Sequence, residues 1–168
     1  MTEQKERSRA ATAAAGDFGW AGQGTGGIEK ETEFVGYAEK KCDAEVIFII
    51  ADGESRGNIV PGDEATLVLD RTPFYAESGG QAGDCGVITI GESTFEVTNT
   101  TKDPDGIWLH HGTLSGDSVK IGDKAVTAYN ETLRKAIMRN HTAAHLLQAA
   151  LRSTLGSHVE QAGQLVNE

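Results

Sequence analysis

The chain has 168 residues, with 15 Lys and Arg against 25 Asp and Glu, for a formal charge of −10. That length suits one domain of ordinary size or two small ones, and an apolar fraction of 38% is not that of a disordered chain. No apolar run approaches the roughly 20 residues needed to cross a bilayer, and the opening MTEQKERSRAATAAA mixes acids with bases and has no apolar segment, so it does not read as a signal peptide.

Two cysteines, Cys42 and Cys85, make no disulfide framework, and with no secretory signal they point to a reducing, cytoplasmic compartment. Charge is uneven along the chain. Residues 31–130 carry seven basic and eighteen acidic side chains, a net of −11, while residues 131–168 carry a net of +1. An acidic middle repels phosphate, which makes it a poor candidate for a broad nucleic-acid surface and favours local RNA contact at the C-terminal segment.

In chain order, residues 2–15 are strong helix formers without a wide apolar stripe and read as the exposed end of a helix, stopped by Gly16. Residues 16–27, GDFGWAGQGTGG, hold six glycines and read as a linker. Short β-branched runs then alternate with turn signals. The runs are Val46–Ile50, Ala65–Leu69, Gly86–Ile90, Thr94–Thr98, Ile107–His111 and Ala125–Tyr129. Such spacing predicts a mainly β fold, a small antiparallel barrel or sandwich. Neither a dinucleotide fingerprint nor a Walker loop is present, since Gly22-Gln23-Gly24 follows no strand.

At residue 130 the period becomes helical. Asn130 can cap the helix, and at 100° steps from Leu133 the side chains of Ile137, Ala144, Leu147, Leu151 and Leu155 fall within about 40° of one line, a predicted buried stripe. Gly156 suits a left-handed helix stop. These signals divide the chain into 1–30 (helix end and linker), 31–129 (β-barrel) and 130–168 (the opening of a further α+β domain, incomplete at Glu168).

Two constellations could carry chemistry. His141 and His145 stand four apart on the helix, flanking the apolar stripe, a spacing that lets two imidazoles reach one metal ion. No Glu follows the first His, so a metalloprotease base is missing, and two half-exposed histidines are the plainer reading. The second constellation is Thr72–Gln81, TPFYAESGGQ, where small residues allow close backbone approach and Gln81 can hydrogen-bond a polar ligand; a tight barrel loop is the plainer reading. His110 and His111 sit in a strand and point to opposite faces, so they do not chelate together. His158 is a lone loop histidine, Trp108 reads as strand packing, and Asp103-Pro104-Asp105-Gly106 as a turn.

Three segments in order, TPFYAESGGQ, Asn140–Leu147 (NHTAAHLL) and His158–Gly163 (HVEQAG), resemble the alanyl-tRNA synthetases in the region after the aminoacylation and tRNA-recognition domains. The opening residues resemble the end of that family's helical domain, which implies that Met1 lies inside a longer protein. The resemblance implies a translation-protein-like barrel before an editing domain that hydrolyses tRNA(Ala) mischarged with serine or glycine. It implies zinc held by His141 and His145 with a C-x-x-x-H pair beyond Glu168. It places Gln161 and Gln81 at the editing pocket, and ATP and magnesium only in an aminoacylation domain outside this chain. Ala144 departs from the family, which often has Thr before the second His. Two alternatives remain open: a free-standing editing hydrolase, and a non-catalytic RNA-docking barrel using Arg134, Arg139 and Arg152.

Overall fold

The inward face of the first long strand begins on a strict alternation, with Cys42, Ala44 and Val46 buried, and then breaks step: the next inward residues are Ile49 and Ala51. The computed structural model, described for residues 32–156, 158–160 and 166–167, shows why. A bulge between Val46 and Phe48 inserts one extra residue, and since side chains alternate with period two, the insertion flips the parity of everything after it. Ile47 and Phe48 are thereby turned outward onto a small satellite cluster with Val68, Ile107 and Leu109.

The strands are β1 (Glu33–Phe34), β2 (Lys41–Ala51), β3 (Glu54–Ser55), β4 (Asn58–Ile59), β5 (Glu64–Leu69), β6 (Arg71–Thr72), β7 (Gly86–Ile90), β8 (Ser93–Lys102), β9 (Trp108–Ser115), β10 (Val119–Lys120) and β11 (Lys124–Tyr129), followed by the helix α1 (Glu131–Leu155). Every predicted run lies in or overlaps one of these strands. Six of them close on themselves in the order β11-β7-β8-β9-β5-β2, with β2 returning to β11, and each neighbouring pair is antiparallel. The fold is therefore mainly β, a six-stranded antiparallel barrel with one helix among the described residues. A second bulge, between Val97 and Asn99 on β8, passes the inward position from Val97 to Thr100. Bulges of this kind supply the local bend that a small barrel needs to close.

The barrel interior is filled by Val46, Ile49, Leu67, Leu69, Ile88, Phe95 and Leu114, each 0–1% exposed. Phe74 enters from the segment after β6 and is fully buried among them.

The helix behaves differently. Asn130 caps it as expected, accepting from the Leu133 amide at 3.1 Å. The predicted buried stripe is not buried: of the helix's 25 residues only Ile137 is, and Leu147, Leu151 and Leu155 are 61%, 37% and 58% exposed. The period correctly marks the apolar face, but beyond its second turn the leucines of that face stay open to solvent. Gly156 also departs from expectation. Its φ of 110° is positive, yet ψ of 169° takes it out of the left-handed helical well into a region open essentially to glycine alone. Its amide still closes the helix on the Arg152 carbonyl at 3.1 Å. The predicted helix end at 2–15 and the linker at 16–27 lie outside the described residues.

Candidate functional site

The segment between β6 and β7 is built around a tight reversal. Gly79 and Gly80 have φ of 61° and 84°, the positive values that a two-residue hairpin turn of the primed type demands at both central positions. Ser78 and Gln81 exchange backbone hydrogen bonds across it, at 2.9 and 3.2 Å. Gly83 is needed for a second reason: a Cβ there would stand 2.1 Å from the Thr100 carbonyl oxygen. Within TPFYAESGGQ the glycines thus serve the turn's positive φ, with open space around Gly79, and the close backbone approach falls just after the segment, at Gly83; Gln81 ends up 9% exposed.

Gln81 does not face a bare edge. Its backbone pairs in parallel with Val166, itself buried, through Ala82 N–H to the Val166 carbonyl at 2.9 Å and Val166 N–H to the Gly80 carbonyl at 2.7 Å. The neighbouring Asn167 carbonyl accepts from the Asn140 side chain at 2.9 Å, and Val159 accepts from Gln148 at 3.3 Å. The returning chain therefore touches α1 at two places, eight residues or about 12 Å apart along its axis. Contacts run without a break from Gln81 through Val166 and Asn167 to Asn140, one residue before His141.

On that helix the Nε2 atoms of His141 and His145 face one another at 3.0 Å, with ring centroids 4.6 Å apart. As free imidazoles one nitrogen donates to the other's lone pair. With both lone pairs free, they converge on a common point. Two nitrogens bound to one tetrahedral zinc would stand about 3.3 Å apart, so a shift of a few tenths of an ångström fits the pair to half a donor set. No group of three or more His, Cys, Asp or Glu able to hold a metal occurs among the described residues. Cys42 is buried and shares a hydrogen bond with the Thr127 hydroxyl at 3.2 Å, and Cys85 is half-buried; neither stands in such a group. Gln161, the remaining expected pocket residue, lies outside the described residues.

The sequence reading missed what ties the loop to the helix. Arg134, in the first turn of α1, sends Nη1 to the Gly36 carbonyl at 3.1 Å and Nη2 to the Pro73 carbonyl at 2.7 Å, and pairs with the Asp84 carboxylate. Its guanidinium lies 3.4 Å over the Tyr129 ring. Both side chains are nearly enclosed, Arg134 at 11% and Asp84 at 4% exposure. Burial draws the Arg134 pKa down to about 10, which leaves it charged at neutral pH. Arg134 is therefore not available to RNA, in contrast to the open Arg139 and Arg152. A signal existed in the helical wheel: Arg134, His141 and His145 are seven and eleven residues apart and lie within about 20° of one line.

His110 and His111 do face opposite ways, and both are spoken for. His110 is fully buried; its Nδ1–H donates to the Leu67 carbonyl at 2.9 Å and its Nε2 accepts from the Thr72 hydroxyl at 2.8 Å. Thr72 Oγ1 accepts in turn from the Phe74 amide at 3.2 Å, where the Gln81 loop begins. Burial pushes the His110 pKa down to about 4, so the ring is neutral. His111 bridges the hydroxyls of Thr66 and Thr101 at 2.9 and 2.8 Å. Trp108 packs as expected, stacked on Phe34 at 5.5 Å with Lys102 Nζ 3.9 Å from its ring centre.

Residues 1–133 match a family model described as tRNA synthetases, class II (A). Over 167 residues, 99% of this chain, it is 45% identical to an alanine–tRNA ligase of Saccharophagus degradans, of which it covers 18%. It is 39% identical over its full length to the alanine–tRNA ligase of Bacillus velezensis, covering 19% of that protein, and 41% identical to one from Neisseria meningitidis serogroup B. The chain thus spans about a fifth of the length of the curated relatives it matches.

Proposed function

We propose, for a chain that belongs to the class II tRNA synthetase (A) family, that it builds the wall of a hydrolytic editing site within an alanine–tRNA ligase. In this reading residues 31–129 are the barrel that presents the Gln81 loop, and residues 130–168 open the editing domain. The substrate is tRNA(Ala) carrying serine or glycine. Formation of the aminoacyl-tRNA itself, with ATP and magnesium, belongs to parts of the relatives that this chain does not cover, and the compartment is the cytoplasm.

One observation carries the reading: the loop TPFYAESGGQ and the helix segment Asn140–Leu147 are joined through Val166 and Asn167, just past the third segment that resembles the family. The Gln81 turn pairs with Val166, and the strand end beside Val166 is held by the residue next to His141. Segments 60 to 80 residues apart would have no reason to meet in this way if each were only a surface loop or a helix face.

The chemistry follows from what such a ligase must reject. Serine differs from alanine by one hydroxyl and glycine by one methyl, and a small apolar activation pocket discriminates poorly against either, so a second, hydrolytic site is needed. The Gln81 amide, rigidly seated on a two-glycine turn, offers both donor and acceptor to a polar group of the wrong amino acid. His141 and His145 would hold zinc, with further donors from a C-x-x-x-H pair outside this chain. Zinc held there would polarise the ester or its attacking water. Water adds across the ester and releases the free amino acid and the 3′-terminal hydroxyl of the tRNA. Ala144 offers no hydroxyl at its helix position, which leaves the polar contacts of discrimination to Gln81 and Gln161.

The test uses a polypeptide of the relatives' length that carries these residues. Expected are one zinc per chain and hydrolysis of Ser-tRNA(Ala), with both falling at least tenfold in His141→Ala and His145→Ala. A metal-free protein that leaves Ser-tRNA(Ala) intact after zinc addition overturns the reading.

A further inference from the structure

We propose that the Arg134–Asp84 pair is a positioning device that sets the rotation and tilt of the helix so that its imidazole face meets the Gln81 loop. The role given to the imidazoles rests on the editing reading above, whereas the placement does not.

An amphipathic helix is ordinarily oriented by the apolar face it buries. Here that constraint is nearly missing, since Ile137 is the one buried residue of α1. What holds the helix against the barrel is polar and sits at its first turn. One guanidinium reaches Pro73 and Asp84, the two ends of the loop that carries Gln81, and also Gly36 in the segment after β1. Asp84 closes the base of that loop: its amide donates to the Tyr75 carbonyl at 2.9 Å and its carboxylate accepts from the Tyr75 amide at 2.7 Å. Thr100 Oγ1 holds the Asp84 carbonyl at 2.9 Å. The loop is thus fastened to β8 on one side and to the helix on the other through the same residue.

Arg134 shares its helical line with His141 and His145, so fixing the direction of its side chain fixes theirs. A planar fork that grips three oxygens sets rotation in a way that a flexible ammonium cannot. Stability alone does not explain the arrangement, because a buried ion pair is commonly no more stable than an apolar pair of the same volume. Orientation does.

The Ala82–Val166 pairing reports on this geometry independently of metal or activity, because Val166 belongs to the strand end that α1 holds through Asn140. Amide hydrogen exchange on the 168-residue chain should compare wild type with Arg134→Lys, which keeps the charge but loses the fork, and with the paired apolar swap Arg134→Met with Asp84→Leu. Both variants should exchange the Ala82 and Val166 amides at least tenfold faster. The Val46 and Leu114 amides, bonded within the barrel to Asp123 and Asp63, should stay within about twofold. Unchanged exchange at Ala82 and Val166 overturns the proposal, and so does a rise shared equally by all four amides, which would mean general destabilisation.

In the longer polypeptide, the same variants should lower kcat for Ser-tRNA(Ala) hydrolysis with zinc content and KM unchanged. Hydrolysis that keeps its full kcat while the Ala82 amide is freed also overturns the positioning role. If the wild type hydrolyses nothing, the editing reading falls, and the exchange comparison still decides the placement.

Discussion

The barrel and the helix spend their apolar residues in opposite ways. In the barrel, six strands enclose a core whose large side chains are fully out of water. On the helix, Met138, Leu146, Leu147, Leu151 and Leu155 stand 37–66% exposed. The barrel satisfies its own pattern within one sheet. The helix carries a pattern that the described residues do not satisfy, and it is placed instead by a cap at one end and a buried charge pair near it. A hydrophobic period says which face of an element is meant for burial, and says nothing about whether the covering surface is at hand.

Three measurements break or sharpen this contrast. The largest effect should come from emptying the core. Phe95→Ala should cost about 3–5 kcal/mol in urea unfolding, while Leu147→Ala on the helix should stay within about 0.5 kcal/mol. A cost above about 2 kcal/mol for Leu147→Ala would mean that the helix face is packed in solution, and the contrast would fail.

Acid should act next, through the barrel. The unfolded imidazole of His110 takes up its proton near pH 6.5 and the buried one only near about 4. The unfolded state therefore binds the extra proton between those values, so stability is full above pH 6.5 and is lost as pH falls toward 4. The slope approaches about 1.4 kcal/mol per pH unit for one such site. His111, shifted down by burial as well, acts in the same direction. The urea midpoint measured from pH 7 to pH 4.5 should fall, and His110→Gln should flatten the fall. A midpoint independent of pH would refute the neutral buried state.

The smallest effect belongs to the helix start. Asn130→Ala removes the acceptor for the Leu133 amide and should cost about 1 kcal/mol. Because the barrel core contains no side chain of the helix, that loss should appear as helical ellipticity melting ahead of the Trp108 fluorescence, read in a Trp20→Phe background. A single coincident transition would show the two regions to be one cooperative unit.

How much of this was legible beforehand varies by the range of the interaction. The six long strands could be read because β-branched runs and turn pairs are local. The two bulges could not, since a parity change after Val46 or Val97 looks like imperfect alternation until the neighbouring strand is known. Two-residue strands such as β4 and β10 carry no periodic signal at all. The His141–His145 spacing is local to one helix and was visible, as was the glycine turn before Gln81. The Arg134 clamp was not, because its partners lie 50, 61 and 98 residues away. An Asp among small loop residues and an Arg in a first helical turn are each unremarkable until the fold sets them face to face. For the same reason Arg134 is withdrawn from the three-arginine surface, which keeps Arg139 and Arg152 exposed.

The antiparallel pairing of β2 with β11 places Ala128 opposite Lys41, and the ion pair from Lys40 to Glu131 spans the same point at 2.9 Å. The polypeptide thus enters the barrel and leaves it through adjoining doorways, about 5 Å apart across one ladder. A module wired in this way is a detour that returns to where it began. It can be carried within a longer polypeptide without holding its two ends apart, and any pull on the incoming chain is felt at once by the outgoing helix.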